Sequence, residues 1–242
     1  MRIVFVGGVG GSGTRVVASL LSSSGVFIGS NLNVSLDNMD WPGDQLTIKD
    51  AKLTFEQKIE ALRLPFQQFI EKMINDQYKT VDSNQSLLAI KVPGSFFYLP
   101  YLCEIFDDVS YIHVIRHGLD MAFSDNKNQL KNWGGVFNVF PEDISPEIYQ
   151  LKYWLRANEY AVDMGVRLLN DKFYLLRYES LCDDPESEMK ELSVSLTLDL
   201  NFDPVMLNTV KRPKTFNRYL QKDLTLFEDK DLASLKNLGY EI

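Results

Sequence analysis

Apolar positions in this chain fall into short unbroken runs, separated by longer stretches in which they recur every three or four residues. Ile3 to Val6 is a β-branched run that stops at glycines and predicts a buried strand. Thr14 to Ser24 has helical spacing, with Gly25 placed to end it. Val26 to Ile28 predicts a second short strand, and Asp37 to Asp50, which holds Trp41-Pro42-Gly43, predicts a loop. Phe55 to Asn75 is helical in spacing, with Pro65 expected to break or kink it. Leu87 to Val92 predicts a strand, Phe96 to Phe106 a helix, Val109 to Ile115 a strand and Leu119 to Leu130 a helix. Ile148 to Leu169 is a long amphipathic helix, Lys172 to Leu176 a fifth strand and Pro185 to Leu198 a further helix. Such alternation implies parallel strands joined by right-handed crossovers. The expectation is a three-layer α/β/α arrangement around a central, mainly parallel sheet of about five strands, with residues 1–242 in a single domain. Ligands bind such sheets beyond the carboxyl ends of the strands, which directs attention to the residues after Val6, Val92, Ile115 and Leu176.

Composition narrows the chemistry. The 242 residues are 45% apolar and 24% charged, enough for a core and incompatible with general disorder. Lys plus Arg is 25 against 33 for Asp plus Glu, a formal charge of −8. That balance argues against a nucleic-acid partner and leaves room for a local basic pocket around one small anion. Cys103 and Cys182 make no disulfide framework, and with two histidines at unrelated spacing they leave little for a zinc site, so no metal is expected. No apolar run approaches the ~18–20 residues of a membrane span. The start reads as a strand rather than a leader, so a cytoplasmic location is the expectation.

The first strand runs into Gly7-Gly8-Val9-Gly10-Gly11-Ser12-Gly13-Thr14-Arg15. Glycines let backbone N–H groups approach an anion, and the following helix offers its positive N-terminal end. The loop is richer in glycine than packing alone requires. Gly8, Gly10 and Gly13 match a dinucleotide fingerprint, but the acidic residue it needs about 20 positions on is missing; Asp37 is the first acid. Gly8 and Gly13 also have the separation of an ATP-binding P-loop, but Thr14-Arg15 stands where Lys and then Ser or Thr are required. A loop ending Ser-Gly-Thr that holds a sulfated phosphate without metal is the third reading. After the strand Val109 to Ile115 comes Arg116, with Ser124 eight positions later. An arginine fork plus a hydroxyl suits a terminal phosphate, and a structural Arg116–Asp120 pair is the alternative.

With these stretches in place, the chain resembles the PAPS-dependent sulfotransferase family. Gly8 to Arg15 looks like that family's 5′-phosphosulfate loop, and Ile112 to Ser124 like its 3′-phosphate motif. Ile90-Lys91-Val92-Pro93 looks like its lysine-bearing strand end, and Leu176-Arg177-Tyr178-Glu179-Ser180-Leu181-Cys182-Asp183-Asp184-Pro185-Glu186 like its Arg-Tyr-Glu-x-Leu-x-x-x-Pro-Glu stretch. The resemblance implies a P-loop NTPase-like fold and sulfuryl transfer from PAPS (3′-phosphoadenosine 5′-phosphosulfate) to an acceptor hydroxyl or amine, releasing adenosine 3′,5′-bisphosphate. It implies that Gly10, Gly11, Ser12, Gly13, Thr14 and Arg15 cradle the phosphosulfate, that Arg116 and Ser124 hold the 3′-phosphate, and that Tyr178 lies near the nucleotide. Lys211, Arg212, Lys214 and Arg218 are candidates for the basic segment that closes over the 3′-phosphate.

The chain also departs from the family pattern. Gly11 stands where many members carry Lys or Arg beside the leaving oxygen, a charge that Arg15 or Lys91 can supply; Arg15 contacting another layer is the other reading. Pro93 stands where cytosolic members place a catalytic histidine. His113 reads as structural, His117 as ambiguous, and Asp37, ahead of Asp40 and Asp44, as the candidate carboxylate base. Lys91, Asp37 and Arg15 are thus the catalytic candidates. A small-molecule kinase with an altered P-loop and an inactive nucleotide-binding module are the competing functions. The acceptor is expected to be a neutral or weakly charged small molecule or saccharide, because the acidic surface repels polyanions. Its walls are expected in Gly29 to Lys79 and Asn132 to Pro146; Trp41, Trp133, Phe137, Phe140 and Tyr149 read either as an aromatic pocket or as core and lid.

Overall fold

The computed structural model describes residues 1–80, 87–140 and 145–242. Its elements are β1 (Arg2–Gly8), α1 (Thr14–Ser23), α2 (Gln45–Lys49), α3 (Phe55–Thr80), β2 (Leu87–Lys91), α4 (Leu99–Ile105), β3 (Val109–Ile115), α5 (Gly118–Ala122), α6 (Asn128–Trp133), α7 (Pro146–Leu169), β4 (Phe173–Arg177), α8 (Tyr178–Asp183), α9 (Pro185–Ser195), α10 (Pro204–Leu207) and α11 (Asp229–Asn237). The four strands pair in the order β2-β1-β3-β4, all parallel. Alternate residues face opposite layers. Ile3, Phe5, Leu88 and Ile90 pack with α3, α4 and α7 on one face, while Val4, Val6, Ala89 and Val114 pack with α1 and α9 on the other. Burial on both faces is why these strands read as continuous apolar runs.

Five expectations change in the structure. The run Val26 to Ile28 forms no strand; only Phe27 bridges to Leu88, so the sheet has four strands among the described residues rather than five. Helix α3 runs unbroken through Pro65. Pro65 lies on the solvent side, where the carbonyl it leaves without a donor can meet water, while Leu62, Phe66, Phe69 and Met73 hold the inner face against the sheet. The stretch from Leu119 splits into α5 and α6, because Ser124 and Asn126 side chains accept the N–H groups of Asn126 and Asn128 and so compete with helical bonding. The loop Asp37 to Asp50 contains the short α2, whose first N–H groups are capped by Asp44. The stretch from Phe96 begins as a 3₁₀ turn, Pro93–Tyr98, before α4.

Register aligns the strand ends. Val6 lies beside Lys91 and Ile112, Val114 beside Leu176, and Ile115 beside Arg177. The glycine loop, Lys91, Arg116 and Tyr178 therefore leave the sheet at one edge. No helix among the described residues is long and apolar enough to cross a membrane.

Candidate active site

The glycine loop folds back on itself through Ser12 N–H to Val9 C=O (3.0 Å) and Val16 N–H to Gly13 C=O (2.9 Å). Gly13 is the residue before α1, with φ +107°, and it offers no side-chain cap to the helix. The position tolerates only glycine: a Cβ there would lie 2.3 Å from the Tyr178 ring. The first turn of α1 thus presents backbone N–H groups and the positive end of the helix to the cleft. Ser12 and Thr14 are buried, and the Ser12 hydroxyl has no hydrogen-bond partner among the described residues. A cleft of about 350 Å³ opens here, bounded by Gly10, Gly11, Gly13, Thr14 and Arg15, by Lys91 with Asp37, and by Arg116 and Tyr178; Ser12 is buried behind the loop and does not line it. Arg15 is exposed at its mouth.

Lys91 and Asp37 form an ion pair at the floor of the cleft. Lys91 is buried, with 3% of its side chain exposed, and also donates to the Ser35 carbonyl at 3.0 Å. Burial lowers its proton affinity, and the charge of Arg15 adds to this, while Asp37 opposes both. Asp37 is positioned by Asn33, whose amide donates to it at 2.9 Å and whose carbonyl oxygen accepts the Asp37 N–H at 3.0 Å. The other two acids of the region are engaged elsewhere: Asp40 pairs with Lys72, and Asp44 caps α2. Asp37 is the member of the three that lines the cleft.

Arg116, which also lines the cleft, is buried. Its Nη2 donates to the Thr215 carbonyl (2.8 Å), the Thr215 hydroxyl (3.0 Å) and Asp120 (3.3 Å). Its guanidinium lies 5.1 Å from the Phe216 ring and 5.9 Å from Tyr178, and its Nε is buried without an acceptor. The Arg116–Asp120 pair foreseen as the structural alternative is therefore present, and it coexists with exposure of Arg116 to the cleft. Burial pushes the Tyr178 hydroxyl up to about 12, so the ring is a neutral wall.

The remaining candidates are placed less directly. Ser124 lies beyond the end of α5, its hydroxyl accepting from the Asn126 N–H; the neighbour Asn126 lines the cleft. Arg212 is half-exposed and committed to Asp183, and Lys214 is exposed; Pro213 between them lines the cleft. Arg218 donates to the Thr215 and Phe123 carbonyls. His113 is fully buried against Asn158, and burial takes its pKa down to about 4. His117 accepts the Leu119 N–H on Nδ1, so its Nε2 carries the proton donated to the Glu241 carbonyl. Its ring stacks on Tyr219 at 4.3 Å, and burial lowers its pKa.

Of the aromatic residues, Trp41 packs edge-on against Phe5, Phe66, Phe69 and Tyr98, and Trp133 stacks on Phe97 at 4.1 Å, so both belong to the core. Phe137 and Tyr149 pack against that core, while Phe140 is exposed. Residues 141–144 of the stretch Asn132 to Pro146 lie outside the described residues. Reading the sequence named Asp120 only as a structural partner of Arg116 and missed Thr215, Phe216 and Glu179 as site-forming groups. Their only local signal was adjacency to the motifs and to the basic segment.

A sequence model described as the sulfotransferase family matches residues 4–204. A curated relative from Aquifex aeolicus, described as an uncharacterized protein, is 21% identical in an alignment of 207 residues that covers 79% of this chain. The match covers 25% of that relative, so the chain spans about a quarter of its length. Among solved structures, the sulfotransferase domain of the Synechococcus PCC 7002 olefin synthase aligns with a TM-score of 0.60 at 18% identity, covering 100% of this chain and 95% of that one. The sulfotransferase domain from the curacin biosynthetic pathway aligns with a TM-score of 0.59 at 17% identity, covering 100% and 98%. Sulfotransferase STF9 from Mycobacterium avium aligns with a TM-score of 0.53 at 10% identity, covering 86% and 66%.

Proposed function

The chain belongs to the sulfotransferase family, and we propose that it moves a sulfuryl group from PAPS to a hydroxyl or amine of a neutral or weakly charged small-molecule or saccharide acceptor. One observation carries this reading: a single cleft is lined both by an uncapped helix N-terminus and by a buried arginine, a fit for a nucleotide with anionic groups at both its 5′ and 3′ positions. Residues Gly10 to Thr14 would hold the 5′-phosphosulfate and Arg116 the 3′-phosphate, with Tyr178 against the nucleoside.

In the transfer, the acceptor oxygen attacks sulfur in line, the bond from sulfur to the bridging oxygen breaks, and adenosine 3′,5′-bisphosphate departs. Charge grows on the 5′-phosphate as it leaves. The loop N–H groups and Lys91, with Arg15 at the cleft mouth replacing the cation absent at Gly11, face that charge. Asp37, beside Lys91, takes the acceptor's proton.

Calorimetry with the folded protein tests the donor site. Adenosine 3′,5′-bisphosphate should bind without Mg²⁺, and tight Mg²⁺-dependent binding of ATP in its place would overturn the reading. Arg116→Ala should weaken bisphosphate binding on the order of a hundredfold. It also leaves the buried Asp120 without its cation, held only by the Asn217 N–H, so Arg116→Lys, which keeps the charge but not the fork, is the companion variant. Transfer from labelled PAPS to a panel of sugars, phenols, lipids and peptides tests the reaction itself; binding with no transfer to any of them would leave a nucleotide-binding module.

A further inference from the structure

We infer that Glu179 is a positioning residue that gives the cleft its preference for a 3′-phosphorylated nucleotide, acting through Arg116; this rests on the reading that Arg116 meets the 3′-phosphate. Glu179 makes no contact with the cleft floor. Its Oε1 accepts the backbone N–H of His117 at 2.8 Å, and its Oε2 accepts the Tyr240 hydroxyl at 3.3 Å. One carboxylate therefore bridges the end of β3 and the C-terminal segment.

The grip acts at the right peptide. The His117 N–H belongs to the planar unit whose other side is the Arg116 carbonyl, so fixing it fixes the direction in which the Arg116 side chain leaves the backbone. The support behind Glu179 is itself built. Arg177 donates to the Leu238 carbonyl at 2.7 Å and lies 4.8 Å over the Tyr240 ring. The His117 ring is held by the Glu241 carbonyl at 2.8 Å and by stacking on Tyr219. Arg177 and Glu179 flank Tyr178 in sequence, so one three-residue run supplies the wall of the cleft and, on either side of it, the two ties that steady the arginine opposite. A carboxylate that accepts from a backbone N–H holds it more strongly than a neutral oxygen does.

The test compares adenosine 3′,5′-bisphosphate with adenosine 5′-monophosphate, which lacks the 3′-phosphate, by calorimetry on the full chain. The unmodified protein should prefer the bisphosphate; equal binding would overturn the assignment of Arg116 and this inference with it. Glu179→Ala should weaken the bisphosphate roughly tenfold and the monophosphate by less than about twofold. Glu179→Gln, whose amide oxygen can still accept the His117 N–H, should recover binding to within about threefold. A bisphosphate affinity unchanged in Glu179→Ala, or an equal loss for both nucleotides, would overturn the positioning role while leaving the Arg116 assignment intact. Should Glu179→Ala not fold, Glu179→Asp, one methylene too short to bridge both donors, carries the same selective loss and the same overturning outcomes.

Discussion

The two ends of the cleft are built by opposite means. The phosphosulfate end is almost all backbone, made by consecutive residues from Gly8 to Arg15, with the helix α1 directly behind it. The Arg116 end is almost all side chain, assembled from Asp120, Tyr178, Glu179 and Thr215 to Phe216, groups contributed by three distant segments. A backbone cradle depends on conformation at one or two positions and tolerates change at its side chains. A side-chain anchor depends on its neighbours and transmits change from far away.

Substitutions at three positions break or sharpen that contrast, from the largest expected effect to the smallest. Lys91 is a buried charged side chain lining the cleft, and Lys91→Ala should lower turnover on the order of 10²–10³ while shifting bisphosphate affinity far less, as read from kcat and calorimetry. Its protonation gives a second reading. Burial lowers the Lys91 pKa from 10.5, so its positive charge is lost at a lower pH than for a free lysine. Turnover should therefore fall as pH rises, on a limb lying below 10.5, and Lys91→Arg, which stays charged, should move that limb upward. Gly13→Ala tests the cradle itself. The new methyl group meets the Tyr178 ring in a left-handed backbone, and the expected cost is about 1–3 kcal/mol of stability together with loss of nucleotide binding, followed by urea unfolding and calorimetry. Arg212→Ala tests the rim. Its guanidinium is held by Asp183 in an exposed pair, so bisphosphate affinity should change by less than about threefold; a hundredfold loss would place Arg212 in the anchor.

The same contrast governs what could be read in advance. The loop, the strand before it and the helix after it are contiguous, so glycine spacing and apolar runs were enough to find them. The strands were legible because a parallel sheet buried on both sides leaves no polar alternation to confuse. Pro65 misled because its effect depends on which side of α3 faces water, and Val26 to Ile28 because the chain leaves the sheet at Gly29 after a single bridge. Asp37 was named from the region it occupies, but its pairing with Lys91 spans 54 residues and only the fold displays it. Glu179 stood within a stretch already singled out and still went unassigned, because its partners, His117 and Tyr240, lie 62 and 61 residues away in opposite directions.

The position of β1 between β2 and β3 has a consequence in time. The glycine loop directly follows β1, yet that strand pairs only with segments far along the sequence, with β2 from Leu87 and with β3 from Val109. The arginine at the other end waits longer still, for Thr215 and then for Tyr240. Contacts of such sequence separation form slowly, because loop closure must precede the contact energy that rewards it. In a refolding chain the sheet should close first and the ability to hold a nucleotide should arrive last, so that regain of binding, rather than regain of secondary structure, marks completion of this protein.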